Sequence, residues 1–179
     1  MIDKINLNLA DEHKLFDWVE TFVIDEVPLD DLWEGESTRL RLELDKFHRT
    51  KGVVKECTKH YMAFEPKLSK SFDPVFDFFK DKPYSYNFLK LTGSYNIPMH
   101  YDSYSTFTRK FKVNENMLTE IHRTAIMITP WSNGQILQFG DKVYSHWNVG
   151  TTYTWKGLEW HGAGNFGFDD LVVMQITWI

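Results

Sequence analysis

Downstream of Pro83 the chain falls into a two-residue rhythm broken at short intervals by glycine and proline, and that rhythm limits the fold more than any other feature. A period of two sends alternate side chains to opposite faces of a strand, while Gly and Pro mark where each strand must end. The pattern predicts strands at about 84–92, 96–104, 121–129, 134–140, 142–147, 150–156, 159–164 and 171–178. Gly93, Pro130, Gly134, Gly140, Gly150, Gly157 and Gly167 punctuate them. Eight short strands behind a helical segment make a mainly β fold, a barrel or jelly roll backed by helices.

The first 82 residues differ in kind. They hold more than two thirds of the Lys, Arg, Asp and Glu residues of the chain. Leu15, Phe16, Val19, Phe22 and Val23 recur at three- and four-residue spacing, one apolar helix face, with Asp11 as a cap and Pro28 as the stop. Residues 37–61 suit either a strand, from the Leu40–Leu44 alternation, or a polar helix broken near Gly52. Asp73-Pro74 begins a short helix carrying Val75, Phe76, Phe78 and Phe79, closed by Lys82-Pro83. With no repeat or linker, one domain over 1–179 is expected, with a helical support segment at 1–82 and a β core at 83–179. His13, His48 and His60 lie in the charged part and read as solvated.

Composition removes several functional classes. Aromatics at 16%, with seven Trp, exclude long disorder. A net charge of −5 argues against a nucleic-acid groove or a polybasic membrane patch. Cys57 is the single cysteine, so an intramolecular disulfide and Cys-rich metal sites are excluded. No apolar run approaches a membrane span, and a cytoplasmic protein is expected.

Chemistry concentrates in Asn96-Ile97-Pro98-Met99-His100-Tyr101-Asp102. On a strand, His100 and Asp102 share a face and would both point into the barrel. An imidazole beside a carboxylate is two thirds of the facial triad that holds Fe(II) with positions left open for substrate and O₂. His161, in Trp160-His161-Gly162-Ala163-Gly164-Asn165, is separated from the pair by several strands, enough to return the chain to the same mouth.

At these residues the sequence resembles the Fe(II)/2-oxoglutarate-dependent oxygenases, in particular the prolyl-hydroxylase-like and phage-encoded branches. The resemblance covers about residues 84–179. It runs through Asn87–Leu91, Gly93, His100-x-Asp102, Thr124–Pro130, Gly134–Leu137, Gly150 and His161. It implies a double-stranded β-helix of jelly-roll, cupin-like form, with N-terminal helices packed on the larger sheet. It also implies His100, Asp102 and His161 as iron ligands, and a hydroxylase that uses 2-oxoglutarate and O₂ on a small-molecule or peptidyl substrate.

One departure from the family stands out. An Arg or Lys shortly after the distal His usually binds the outer carboxylate of 2-oxoglutarate, whereas here the corresponding residues are Asp169 and Asp170, and no Lys or Arg follows His161. An unpaired anion in a barrel is costly, so a partner must come from Arg123, His122 or Lys90. If Ile126 and Ile128 face inward, so do His122 and Thr124, and Arg123 faces out; its bidentate guanidinium still ranks it first. Tyr101, Tyr104, Trp147, Trp155, Trp160 and Gln175 are candidates for a substrate pocket. Arg109, Lys110 and Lys112 read as a solvated loop, or as a lid that draws in an acidic substrate. Two other readings remain: a cupin-like iron oxygenase that does not use 2-oxoglutarate, and a non-catalytic β-barrel binding module.

Overall fold

A computed structural model of the chain describes residues 25–27, 60–68 and 70–179. Among the described residues ten strands form two antiparallel sheets. In chain order they are β1 (Asp25–Val27), β2 (His60–Phe64), β3 (Tyr84–Leu91), β4 (Tyr95–His100), β5 (His122–Met127), β6 (Gln135–Phe139), β7 (Lys142–Tyr144), β8 (Thr152–Lys156), β9 (His161–Asn165) and β10 (Leu171–Trp178). Two short helices accompany them, α1 (Asp73–Phe79) and α2 (Ser105–Phe111). The six-stranded sheet runs β1-β2-β3-β10-β5-β8 and the four-stranded sheet β4-β9-β6-β7. Apart from the β6–β7 hairpin within the smaller sheet, the last eight strands thus alternate between two opposed sheets, which is the double-stranded β-helix. Among the described residues no helix is long and apolar enough to cross a membrane.

Each of the eight strands expected after Pro83 is present, and the helix begun by Asp73-Pro74 is α1. The segment before Pro83 is not wholly helical, because β1 and β2 extend the larger sheet beyond β3. His60-Tyr61-Met62-Ala63-Phe64 is short and flanked by charge, so its strand character is concealed. The helix expected at Leu15–Val23 and most of the ambiguous 37–61 stretch lie outside the described residues. The Arg109–Lys110 stretch, read as a loop, belongs to α2, where Phe107 and Phe111 pack four residues apart with ring centroids 4.8 Å from each other.

Apolar residues cover both faces of the larger sheet. Leu89, Leu91, Ala125, Met127, Leu171 and Val173 meet Leu137 and the Trp147 and Trp155 rings between the sheets. Phe88, Ile126, Ile128, Val172, Met174 and Ile176 pack the other way, against Phe72, Val75 and Phe79. β10 lies between β3 and β5 and is buried along nearly its whole length, which is why its sequence is apolar apart from Gln175 and Thr177.

Three loops meet, backbone on backbone, at the end of the barrel remote from His100. A Cβ on Gly93 would lie 2.4 Å from the Gly167 carbonyl oxygen, and one on Gly167 2.1 Å from that of Asn133. Gly134, at φ +92°, would bring a Cβ to 2.5 Å from the Gly167 nitrogen. Gly167→Ala is therefore expected to lower the free energy of unfolding by roughly 1–3 kcal/mol, as other overpacked sites do. Urea denaturation measures this, and an unchanged midpoint would show that the loops can separate without cost.

Candidate metal centre

The strand register sets up the site. β4 and β9 are antiparallel neighbours in which His100 lies opposite His161, after a register shift between Ile97 and His100. β4 is an edge strand, where Pro98 can be accommodated without losing a ladder bond. The two imidazole rings face each other across the ladder with centroids 4.3 Å apart. β4 ends at His100, so Asp102 lies past the strand and not on its face as the sequence reading held. The chain turns there, through Tyr104 in the left-handed conformation and into α2, and that turn brings the carboxylate back to the imidazoles.

The resulting cluster is tight. Asp102 Oδ2 lies 3.4 Å from His161 Nε2, and Oδ1 lies 3.8 Å from His100 Nε2. One ligand atom from each of the three residues falls within 4.8 Å of the others, so the group could hold a metal ion. Both rings are oriented by main-chain carbonyls, His100 Nδ1 by Pro98 O and His161 Nδ1 by Glu159 O, each at 2.8 Å. A carbonyl oxygen only accepts, so each Nδ1 carries the proton and each Nε2 presents its lone pair to the cluster. Burial, reinforced by the neighbouring His161, pushes His100 down to about 3, so its imidazole is neutral at ordinary pH.

Burial alone would raise the Asp102 carboxyl, but Arg123, His161 and His100 together hold it below its usual value. Arg123 contributes most. Its Nη1 donates to Asp102 Oδ1 at 2.8 Å and its Nε to Thr177 Oγ1 at 3.2 Å, while its guanidinium sits 5.0 Å from the Tyr104 ring centre. Asp102 Oδ2 is buried and accepts no hydrogen bond from the described residues. Two oriented imidazoles and an unsatisfied carboxylate oxygen are the donor set that suits iron and related divalent ions. The residues fit a metal.

Two cavities meet at this cluster, and His100, Asp102 and Arg123 line both. The inner one, about 80 Å³, runs between the sheets past Leu89, Ile97 and Val173, and has His60 and Gln175 as its other polar walls. The outer one is a cleft of about 640 Å³ between the barrel mouth and α2, bordered by Tyr86, Tyr101, Tyr104 and Arg109. Glu65 and Lys110 pair across that cleft.

The other residues singled out from sequence separate clearly. Arg123 faces between the sheets, opposite to the strand parity deduced above. Ile126 and Ile128 pack towards α1, so Ala125, Met127 and Arg123 take the inner face. The deduction failed because both faces are apolar, and large aliphatic residues therefore do not mark the inside. His122 lies flat on Trp178, centroids 4.3 Å apart and planes within 13°. Lys90 makes an ion pair with Asp170 at 2.9 Å. Neither lines either cavity at the cluster. Tyr101 packs on Trp160 at 4.5 Å, and Gln175 accepts a hydrogen bond from Asn87 at 3.0 Å. His60, read as solvated, is buried in the inner cavity wall. Sequence reasoning also passed over the Arg123–Asp102 pair and placed Trp155 only among general pocket aromatics. Trp155 packs on His161 at 4.9 Å. The signal for His60 was the short alternation of His60–Phe64.

No protein-family model matches the sequence, and no curated protein matches it. Solved structures do resemble the fold. A cupin domain from Bordetella pertussis matches at a TM-score of 0.41 and 10% identity, over 67% of this chain and 93% of that one. A protein described as a predicted oxalate decarboxylase from Thermotoga maritima matches at 0.42 and 13%, over 68% and 81%. KdgF from Halomonas sp. matches at 0.41 and 8%, over 66% and 79%. Likenesses this distant carry nothing about chemistry.

Proposed function

We propose that this chain is a non-haem iron oxygenase that hydroxylates its substrate with O₂ and 2-oxoglutarate, its metal held by His100, Asp102 and His161. The observation that carries this reading is the convergence of two Nδ1-tethered imidazoles and one under-satisfied carboxylate at the mouth of an apolar barrel. Iron bound there would supply the oxidising chemistry, which no protein side chain can provide. His100 and His161 would keep their Nε2 lone pairs aligned, and Asp102 would offset part of the metal's charge. The inner walls, Leu89, Ile97 and Val173, are apolar and would help keep water from the reacting atoms.

Among the described residues Arg123 is the one Arg or Lys in the inner cavity wall. Its Nη1 and Nε are occupied by Asp102 and Thr177, while Nη2 donates to no described residue. That nitrogen is free to meet a carboxylate of the cosubstrate. The same commitment of Arg123 to Asp102 favours the second reading, an iron oxygenase that does not use 2-oxoglutarate, because it leaves less of the fork for an added anion.

Titrating 2-oxoglutarate into the anaerobic Fe(II) protein separates the two through the visible charge-transfer band that chelation produces. A saturating band is expected, and Arg123→Lys should weaken the titration roughly ten- to hundredfold, the worth of a charge-assisted contact. No band at millimolar cosubstrate would remove 2-oxoglutarate and leave the second reading. Chelation is expected to leave the fold intact, since the core between the sheets is built without the metal. Loss of the far-UV spectrum on adding chelator would make the site structural.

A further inference from the structure

Around Asp102 are two buried donors that the described residues leave unused. Among those residues Tyr104, 4% exposed, finds no partner for its hydroxyl, and Trp155, 8% exposed, finds none for its indole N–H. Asp102 Oδ2 is a buried acceptor in the same condition. Native proteins pair nearly all such groups, so one acceptor and two donors left over around a single carboxylate call for an explanation. They are complementary to one another. Tyr104 borders the outer cleft and Trp155 the inner cavity, and Asp102 lines both.

The backbone at Tyr104 adds an independent observation. Its φ of 55° and ψ of 19° put a bulky residue in the left-handed region, where a glycine would be at ease. Strain of this kind persists only where the surroundings impose it, and it gathers at functional sites. Here it turns the chain from Asp102 into α2 and lays the phenol ring beneath the Arg123 guanidinium, which itself holds Asp102 Oδ1. Each carboxylate oxygen has two lone pairs, so Oδ2 can serve a metal with one and a hydroxyl with the other.

We propose that Tyr104 is a positioning residue of the metal centre, its hydroxyl donating to the Asp102 carboxylate when a metal is bound and so fixing how that carboxylate presents itself. Trp155 is the second donor to the same group. The proposal rests on the metal reading above. It gives the strained residue a task that glycine could not perform.

The test uses Co(II), whose visible spectrum reports ligand geometry, titrated into the wild-type chain, Tyr104→Phe and Trp155→Phe. Tyr104→Phe keeps the ring over Arg123 and removes only the hydroxyl. Its Co(II) dissociation constant is expected to rise roughly tenfold or more, as for other groups that orient metal ligands, with an altered band shape. The melting temperature of its metal-free form should match wild type or exceed it slightly, because an unsatisfied buried hydroxyl is gone. Wild-type affinity and spectrum in Tyr104→Phe would overturn the proposal. So would weakened binding with an unchanged spectrum and an equal fall in metal-free melting, which is a packing effect. A wild-type chain that takes up no Co(II) would overturn this proposal and the metal reading together.

Discussion

Arg123→Ala is expected to cost roughly 3–5 kcal/mol of folding stability at neutral pH, the range for a buried ion pair broken by removing one partner. Asp102 would remain in place, buried, with the largest of the influences that lower its pKa removed. The pH dependence has a definite sign. A carboxyl whose folded pKa lies below its unfolded value stabilises the fold above the unfolded value, about 3.9 for Asp, and that stability is lost as pH falls through the folded pKa. The gap between wild type and variant should therefore be full at neutral pH and close under acid conditions. Urea unfolding at neutral pH and below about pH 4 gives both numbers. Equal stability of the two proteins at neutral pH would mean that water or another group replaces the guanidinium.

Phe79→Ala should be as damaging, by roughly 3–5 kcal/mol, for a wholly different reason. Its ring is fully buried between α1 and the outer face of the larger sheet, 5.9 Å from Trp178 and 6.2 Å from Tyr84. Nothing fills the space if it is cut back. Phe79 belongs to the cluster on the α1 side of the sheet and not to the one between the sheets. Metal affinity should accordingly stay at the wild-type value while stability falls. Calorimetric melting together with a metal titration on the same sample checks both parts. A loss of metal affinity equal to the loss of stability would mean that the two faces of the sheet are not independent.

That independence also explains what could and could not be read from the sequence. Period two and glycine punctuation are local properties, so the strands from Tyr84 to Trp178 were visible in the chain, as was α1 behind Asp73-Pro74. Which face of a strand points inward is not local when both faces are covered. On β5, Ile126 and Met127 are equally buried yet point opposite ways, and only pairing with β10 assigns Arg123 to the inside. His100 and Asp102 meet for a reason other than strand parity. The strand stops, and a left-handed Tyr104 turns the chain, a feature no residue preference announces. β2, and with it His60, was concealed because five residues among charges offer too short a pattern.

Whether His100, Asp102 and His161 form a metal centre is read most directly from iron content. Protein loaded anaerobically with Fe(II) and desalted should retain one iron per chain. His100→Ala and Asp102→Ala should each retain almost none, because two remaining ligands do not hold the ion against exchange. Retention of iron at wild-type stoichiometry in both variants would contradict the site.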